Sequence, residues 1–554
     1  MTTKNQYHFY VLSGLIIILA LAFLFRTYQI DSIPAGLYPD EATNATDALD
    51  AIQTGHYLAF YPNNYGREGF FINLQAFAIK TFGYNVAALK LWSAVFGTLA
   101  VLGAYLLATE LFKRRSAGLI AAFIAATSFW AINFSRIGFR AIMLPFLVSF
   151  TFYFFFRGIR TRRFLDFAIS GGLLGLGLHT YIAARLTPLI LILLLPFLML
   201  SYEKFLKRYW KHALVFLAGA FIVSIPMLYH FFVSHPEDFA SRTGAVSIFS
   251  PEINKGDFWG TLGKTVSLSL LKYNFWGDQN WRHNYPPYPI LDPIVGAFFL
   301  AGFLFVLWQS LVLLVRRIKN KDRDTRLVTN AFLLSAFLVM LMPEFLTEEG
   351  LPHALRAIGT QTPVFLLATL PAFWIWKKAR RSQPGTRFAL ISLLVILLFA
   401  SATINLSKYF IFFAQSPHQH GAFNENYTNM SKYLIALPPE THKYVLANAG
   451  GTQIDNGLPV TAQPLLFLTA GRITNLEFLT PETALKRPAV ILLMKPDDAL
   501  TERILQKAPD ARVETIDPHP GLGGDFKTII LPEILISQTV TTSLWSFLRN
   551  TAGK

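Results

Sequence analysis

Eleven apolar runs, each near the roughly 20 residues that a helix needs to cross a bilayer, divide this chain up to residue 407. They lie near 8–26, 86–109, 117–134, 141–156, 166–181, 186–202, 213–233, 291–315, 327–345, 359–376 and 388–407. Backbone in hydrocarbon must satisfy its own polar groups, so such runs read as helices. With 53% hydrophobic residues and 51 Phe in 554 positions, the chain is a polytopic membrane protein with a soluble appendage and not a soluble enzyme. The absence of Cys excludes disulfides and thiolate metal sites.

Basic residues fill alternate connections: Lys113, Arg114 and Arg115; Arg157 to Arg163; Lys204 to Lys211; Arg316 to Arg326; and Lys377 to Arg387. The positive-inside rule puts these and the N-terminus, with Lys4, in the cytoplasm, and the region after the last run outside the plasma membrane. No small-residue cleavage pattern follows the first run, which therefore reads as an anchor. The net charge of +16 gathers at the ends of spans, and that pattern excludes a nucleic-acid face. Residues 69–83 decide the parity. They carry Asn73, Gln75 and Lys80, and their apolar residues recur at helical spacing, so they read as an amphipathic helix in the outer interface.

The unusual polar residues then fall on one side. Asp40 and Glu41 lie in an outer loop, 27–85, with Arg67 and Glu68; other outer segments hold Arg136, Arg140, His179, Tyr181, Arg185, Arg282, His283, His353 and Arg356. The middles of the runs carry no Asp, Glu, Lys or Arg, which argues against an ion-coupled pump. Outer carboxylates beside several Arg suit sugar transfer from a polyprenyl phosphate to a hydroxyl. A carboxylate such as Asp40 serves as general base, and the departing lipid phosphate needs cations instead of an acid. Arg136, Arg140, Arg185 and Arg356, with His353, are candidates for that phosphate, because guanidinium binds it bidentately. Direct attack inverts the anomeric centre.

Each residue also has a plainer reading. Asp40 would cap a helix starting at Glu41 or Ala42, and Arg67 with Glu68 would be a surface ion pair. Arg136 and Arg140, one helical turn apart, would anchor a helix end at headgroups, as would His353 and Arg356. His179 would be a buried hydrogen-bonded residue, and Arg282 and His283 part of an aromatic belt. Their sharper reading, with Arg67, Glu68 and Tyr181, is substrate binding. A divalent cation is unassigned; Asp40, Glu41 and Glu68 are the residues that would take one.

Beyond residue 416 the apolar runs stop. Strands are expected at 443–447, 489–494 and 527–531, and a helix at 498–508, giving an α/β domain over 416–554 behind a membrane domain of 1–415. Gly521, Gly523 and Gly524 read as a turn, not a phosphate loop.

The Pro39-Asp40-Glu41 loop, Glu68 opening the amphipathic segment, LHTYIAARLTPL around Thr180, RHNYPPYPILDP around His283 and ALRAIGTQTPVFLL around Arg356 together resemble the GT-C glycosyltransferases over residues 8–410. The likeness is to the protein O-mannosyltransferase (family 39) and aminoarabinose transferase branch. It implies an α-helical polytopic membrane protein of about eleven transmembrane helices plus an interfacial amphipathic helix, with a C-terminal α/β extracytoplasmic domain. It also implies a polyprenyl-phosphate-linked sugar as donor, a protein, lipid or glycan acceptor, Asp40 as catalytic base and Glu41 as its neighbour. Relatives often carry Lys where this chain has Tyr181, and Arg185 would replace that contact. No WWDYG-type motif is visible, which counts against oligosaccharide transfer. The rival readings are a non-catalytic lipid-linked sugar transporter or flippase, a membrane scaffold, or an oligosaccharyltransferase-like enzyme.

Overall fold

A computed structural model describes residues 3–239, 247–480, 483 and 485–533; the expected domain end at 534–554 lies outside them. The chain opens with α1 (Thr3–Thr27), α2 (Pro39–Thr54), β1 (Phe60–Tyr61), β2 (Arg67–Glu68), α3 (Gly69–Phe82) and α4 (Val86–Phe112). There follow α5 (Arg115–Thr127), α6 (Phe129–Phe134), α7 (Met143–Thr161), α8 (Phe164–Leu176), α9 (Thr187–Ser201) and α10 (Phe205–Tyr229). Two short helices, α11 (Pro251–Asn254) and α12 (Phe258–Leu271), precede α13 (Pro293–Asn320), α14 (Arg326–Phe345), α15 (Gln361–Ala379) and α16 (Pro384–Ser407).

Among the described residues, nine helices are long and apolar enough to span a membrane: those built on α1, α4, α7, α9, α10 and α13 to α16. The other two of the eleven expected runs are shorter. Ser128, in extended backbone, ends α5 and starts α6, which splits the 117–134 run. The 166–181 run ends early, where α8 tightens into a 3-10 turn at Gly177–His179. Small residues let α8 press on α10: a Cβ on Gly171 would stand 2.0 Å from the Phe216 carbonyl oxygen, and one on Gly175 2.3 Å from that of Ala220. Backbones this close gain dispersion that lipid contact would not supply.

The segment expected to lie in the interface is α3. It packs between α2 and α4 through Phe71, Ile72 and Ile79, while Phe77 and Phe82 stay exposed. It does not add a span, so loop 28–85 sits wholly at one end of the bundle and the basic connections at the other.

After α16 come α17 (Pro417–Ala422), α18 (Glu425–Ala436), β3 (His442–Leu446), α19 (Gln463–Thr469), β4 (Leu476–Phe478), β5 (Ala489–Leu493), α20 (Asp498–Lys507), β6 (Arg512–Ile516) and β7 (Phe526–Leu531). The sheet order is β4-β3-β5-β7-β6, with β3 parallel to β4 and β5, and β7 antiparallel to β5 and β6. β5 is buried along its whole length, which suits a central strand. The three glycines before β7 all have positive φ, as a turn requires.

This sheet unit rests on loop 28–85. Phe467 and Leu468 of α19 pack with Leu37, Ala45, Ala48 and Ile72. Asn63 Oδ1 accepts from the Asp455 amide at 3.0 Å, Tyr65 and Thr452 hydroxyls meet at 3.1 Å, and Arg472 donates to the Tyr84 carbonyl at 2.9 Å.

Candidate active site

The acidic pair opens α2. Tyr38, in extended backbone, is the N-cap and Pro39 the first helical residue, a position where its missing N–H is harmless. Asp40 therefore does not cap the helix. Its Oδ1 accepts from Asn64 Nδ2 at 2.9 Å, and it lines a cavity of about 130 Å³ together with Asn44, Asn64, Arg67, Arg140 and Tyr181. Two carboxylates in the first turn lie at the positive end of the helix dipole. The NNYG turn that presents Asn64 bends through positive φ at Asn64, Tyr65 and Gly66, as Asn and Gly favour.

Glu41 points the other way. It is fully buried, its Oε2 accepts from the Gly138 amide at 2.7 Å, and Lys90 Nζ stands 3.8 Å away. Burial pushes the Glu41 carboxyl above its ordinary 4.5, opposed by Lys90 and the Gly138 N–H.

Glu68 gathers two of the expected phosphate ligands. Arg140 Nε donates to its Oε2 at 2.7 Å, and Arg185 Nη2 lies 3.6 Å from its Oε1. Arg140 stands over the Tyr181 ring at 6.0 Å and lines the Asp40 cavity. Arg185 is braced behind it, donating to the Phe239 carbonyl at 2.8 Å between the rings of Phe231 and Phe239. Arg67 also faces the cavity, but its guanidinium is held by Asp47, by Asn44 Oδ1 at 2.5 Å and by the Asn63 carbonyl at 3.2 Å.

Other expected site residues lie apart. Arg136 is buried with its donors on the carbonyls of Phe25, Tyr28, Gln29 and Ile33, and it sits over Tyr409 and Phe410. It closes the C-terminal end of α1, where unpaired carbonyls need donors, and is not brought to the cavity. His179 hydrogen-bonds the Val223 carbonyl at 2.8 Å. Arg356 is clamped by Thr347 and Glu349, with only Leu355 beside it reaching the cavity. Arg282 lies 4.1 Å over the ring of Tyr38, next to Asp40.

The three carboxylates named for a cation do not converge: Asp40 is on Asn64, Glu41 on Gly138 and Lys90, and Glu68 on two Arg. Among the described residues, the His/Asp/Glu grouping with atoms close enough is instead Asp278, His283 and His353, within 4.8 Å of one another. Asp278 Oδ2 accepts from the Ala354 amide at 2.7 Å and meets His283 Nδ1 at 3.0 Å. His353 is held well below 6.5 by burial, then by His283, Arg356, Arg282 and Lys272, so its imidazole is neutral at pH 7. Sequence reasoning missed Asn44, Asn64 and Asp47, and it marked the stretch from Asp278 to Tyr288 as polar without giving Asp278 a role.

Residues 70–230 match the family model described as dolichyl-phosphate-mannose-protein mannosyltransferase. No curated protein matches the sequence. ArnT from Cupriavidus metallidurans, in the apo state, is 13% identical with a TM-score of 0.53, the match covering 95% of this chain and 98% of that one. The same protein bound to undecaprenyl phosphate gives 13%, 0.51, 94% and 97%. The Archaeoglobus fulgidus oligosaccharyltransferase is 14% identical with a TM-score of 0.47, and the match covers 83% of this chain but only 63% of that one. The chain thus shares the fold of ArnT along nearly its whole length and resembles the dolichyl-phosphate-mannose-protein mannosyltransferase family in sequence over residues 70–230.

Proposed function

We propose that the protein is an inverting glycosyltransferase that moves a sugar from a polyprenyl-phosphate donor to a hydroxyl of a protein, lipid or glycan acceptor. One observation carries this reading: Asp40 and Arg140, a base and a phosphate-binding cation, line one cavity at the end of a bundle of membrane-length helices. Asn64 orients one Asp40 oxygen and leaves the other to take the acceptor proton as the hydroxyl attacks the anomeric carbon. The bond to the lipid phosphate breaks as the new one forms. Arg140, held by Glu68 and backed by Arg185, neutralises the phosphate as it departs. No acid is required, since that leaving group is already an anion. Arg136 drops out of the donor site, and Arg356 supports the Glu349 segment. ArnT of Cupriavidus metallidurans was solved with undecaprenyl phosphate, a polyprenyl phosphate of the kind that would leave in this step.

The basic connections at the opposite end of the bundle support an orientation with the Asp40 end outside the cytoplasmic membrane, where donor and acceptor would meet at the outer face. The sugar is a hexose or pentose, and the membrane part runs over 1–415, with the sheet unit beginning at 416.

The test uses proteoliposomes, a labelled polyprenyl-phosphate sugar and the Asp40→Asn variant. Transfer to acceptor should fall by about three orders of magnitude, the scale of losing a general base, while the fold and donor binding persist. Transfer at the wild-type rate would overturn the assignment, and label moving across the bilayer without transfer would identify a transporter.

A further inference from the structure

The bundle holds a second, larger cavity at its other end. α4 runs for 27 residues away from the Asp40 layer, roughly 40 Å at 1.5 Å per residue. Where it ends, α4, α7, α13, α14 and α15 enclose about 390 Å³. Nothing in the sugar-transfer reading uses this space.

Its walls are of two kinds. Phe156, Phe305 and Phe373 make an apolar side, and Phe305 is 43% exposed, so that side reaches the outer surface of the bundle where lipid chains run. The rim carries four cations from four elements: Lys113, Arg160, Arg326 and Lys377. Three are held in place by carboxylates. Buried Glu110 takes Lys113 Nζ at 2.7 Å and Arg160 Nε and Nη2 at 2.7 and 2.8 Å. Asp324 takes Arg326 Nη2 at 2.6 Å. Four cations against these two carboxylates leave an excess of positive charge. Gln309, whose Oε1 accepts from Asn330 Nδ2 at 3.0 Å, adds a neutral polar residue to the same wall.

A cavity with an apolar wall open to hydrocarbon and a fixed cationic rim matches an amphiphile with an anionic head. Basic pockets between membrane helices bind anionic lipid headgroups in this way. We propose that this cavity binds the phosphate headgroup of an anionic phospholipid from the leaflet on the basic side, with a chain lying along Phe156 and Phe305. A solvated basic rim would need neither the enclosed volume nor the buried Glu110 that pins two of its cations. The proposal is independent of the sugar-transfer reading, because it lies at the opposite end of α4.

The experiment places the full-length protein in nanodiscs of phosphatidylcholine with increasing phosphatidylglycerol. Retained lipid is read by native mass spectrometry and stability by thermal unfolding. Wild type should retain one phosphatidylglycerol saturably and gain stability with it. Lys113→Gln/Arg326→Gln/Lys377→Gln should bind it at least about tenfold more weakly, given what each interfacial cation contributes. The single variant Arg326→Gln, on a mostly exposed side chain, guards against misfolding of the triple and should also weaken binding. Lys207→Gln/Lys211→Gln, which removes basic residues outside the cavity, should change nothing. Equal retention by wild type and both rim variants would overturn the proposal, as would equal loss in the control. Inorganic phosphate that alone reproduces the stabilisation would overturn the lipid source and assign a free anion.

Discussion

Glu41 and Lys90 face one another 3.8 Å apart in an interior that leaves neither side chain any exposure. Removing one member of such a pair strands the other charge, typically at about 3–5 kcal/mol, whereas replacing both by apolar residues is often neutral. Glu41→Gln and Lys90→Met should each lower the unfolding temperature in detergent, and Glu41→Leu/Lys90→Met should recover much of the loss. A Glu41→Gln protein of normal stability and no transfer activity would instead put Glu41 in the chemistry beside Asp40.

Arg136 ties the end of α1 to the segment around Tyr409 and Phe410. Arg136→Leu would leave several buried carbonyls without donors, each loss about 1–3 kcal/mol. A sharp fall in folded yield is expected, with the donor KM of the surviving protein unchanged. A raised KM at normal yield would return Arg136 to the donor site.

Arg140 and Arg185 share Glu68 unequally, and their variants should differ. Arg140→Gln should lower kcat/KM for the donor by about 10- to 100-fold, the scale of one charge-assisted hydrogen bond. Arg185→Gln should do less, and Arg356→Gln, whose parent is clamped on Glu349, little at all. Steady-state kinetics with varied donor decides the order.

The junction between bundle and sheet should loosen with rising pH. Burial pulls the His420 imidazole down, but Glu425 and the Ala414 carbonyl outweigh it, and its pKa rises above 6.5. A folded pKa above the unfolded one contributes stability that is complete below pH 6.5 and fades as pH climbs through the folded value. Hydrogen-exchange protection factors across α17 and α18, which divide out base-catalysed intrinsic exchange, should therefore fall from about pH 6.5 upward. His420→Gln should flatten that dependence.

Much of this architecture was legible because membrane length and charge asymmetry are local signals. All eleven runs became helical segments, and residues 69–83 became α3, but its buried face takes in Gln75 along with Phe71 and Ala78 and leaves Phe77, expected on the apolar face, exposed. The strands at 443–447, 489–494 and 527–531 appear within a residue as β3, β5 and β7. β6 escaped notice because its residues are mostly exposed, which leaves no apolar pattern to read, and β4 is only three residues long. Within the site, Arg136 and Arg140 looked equivalent at four residues apart. The chain between them is not helical, since it turns through Ser135 to Phe139, so the one-turn rule fails and the two part company. The hold of Asn64 on Asp40 and of His283 on Asp278 depends on pairings that a linear pattern does not encode.

The contacts from Thr452 and Asp455 to Tyr65 and Asn63 have a consequence for biosynthesis. The turn that orients Asp40 is steadied by a part of the chain made some 390 residues later. A nascent chain can insert every membrane helix and still lack the brace behind its base. The turn that carries Asn64 is thus braced only after residues 452–455 have been made and folded against it.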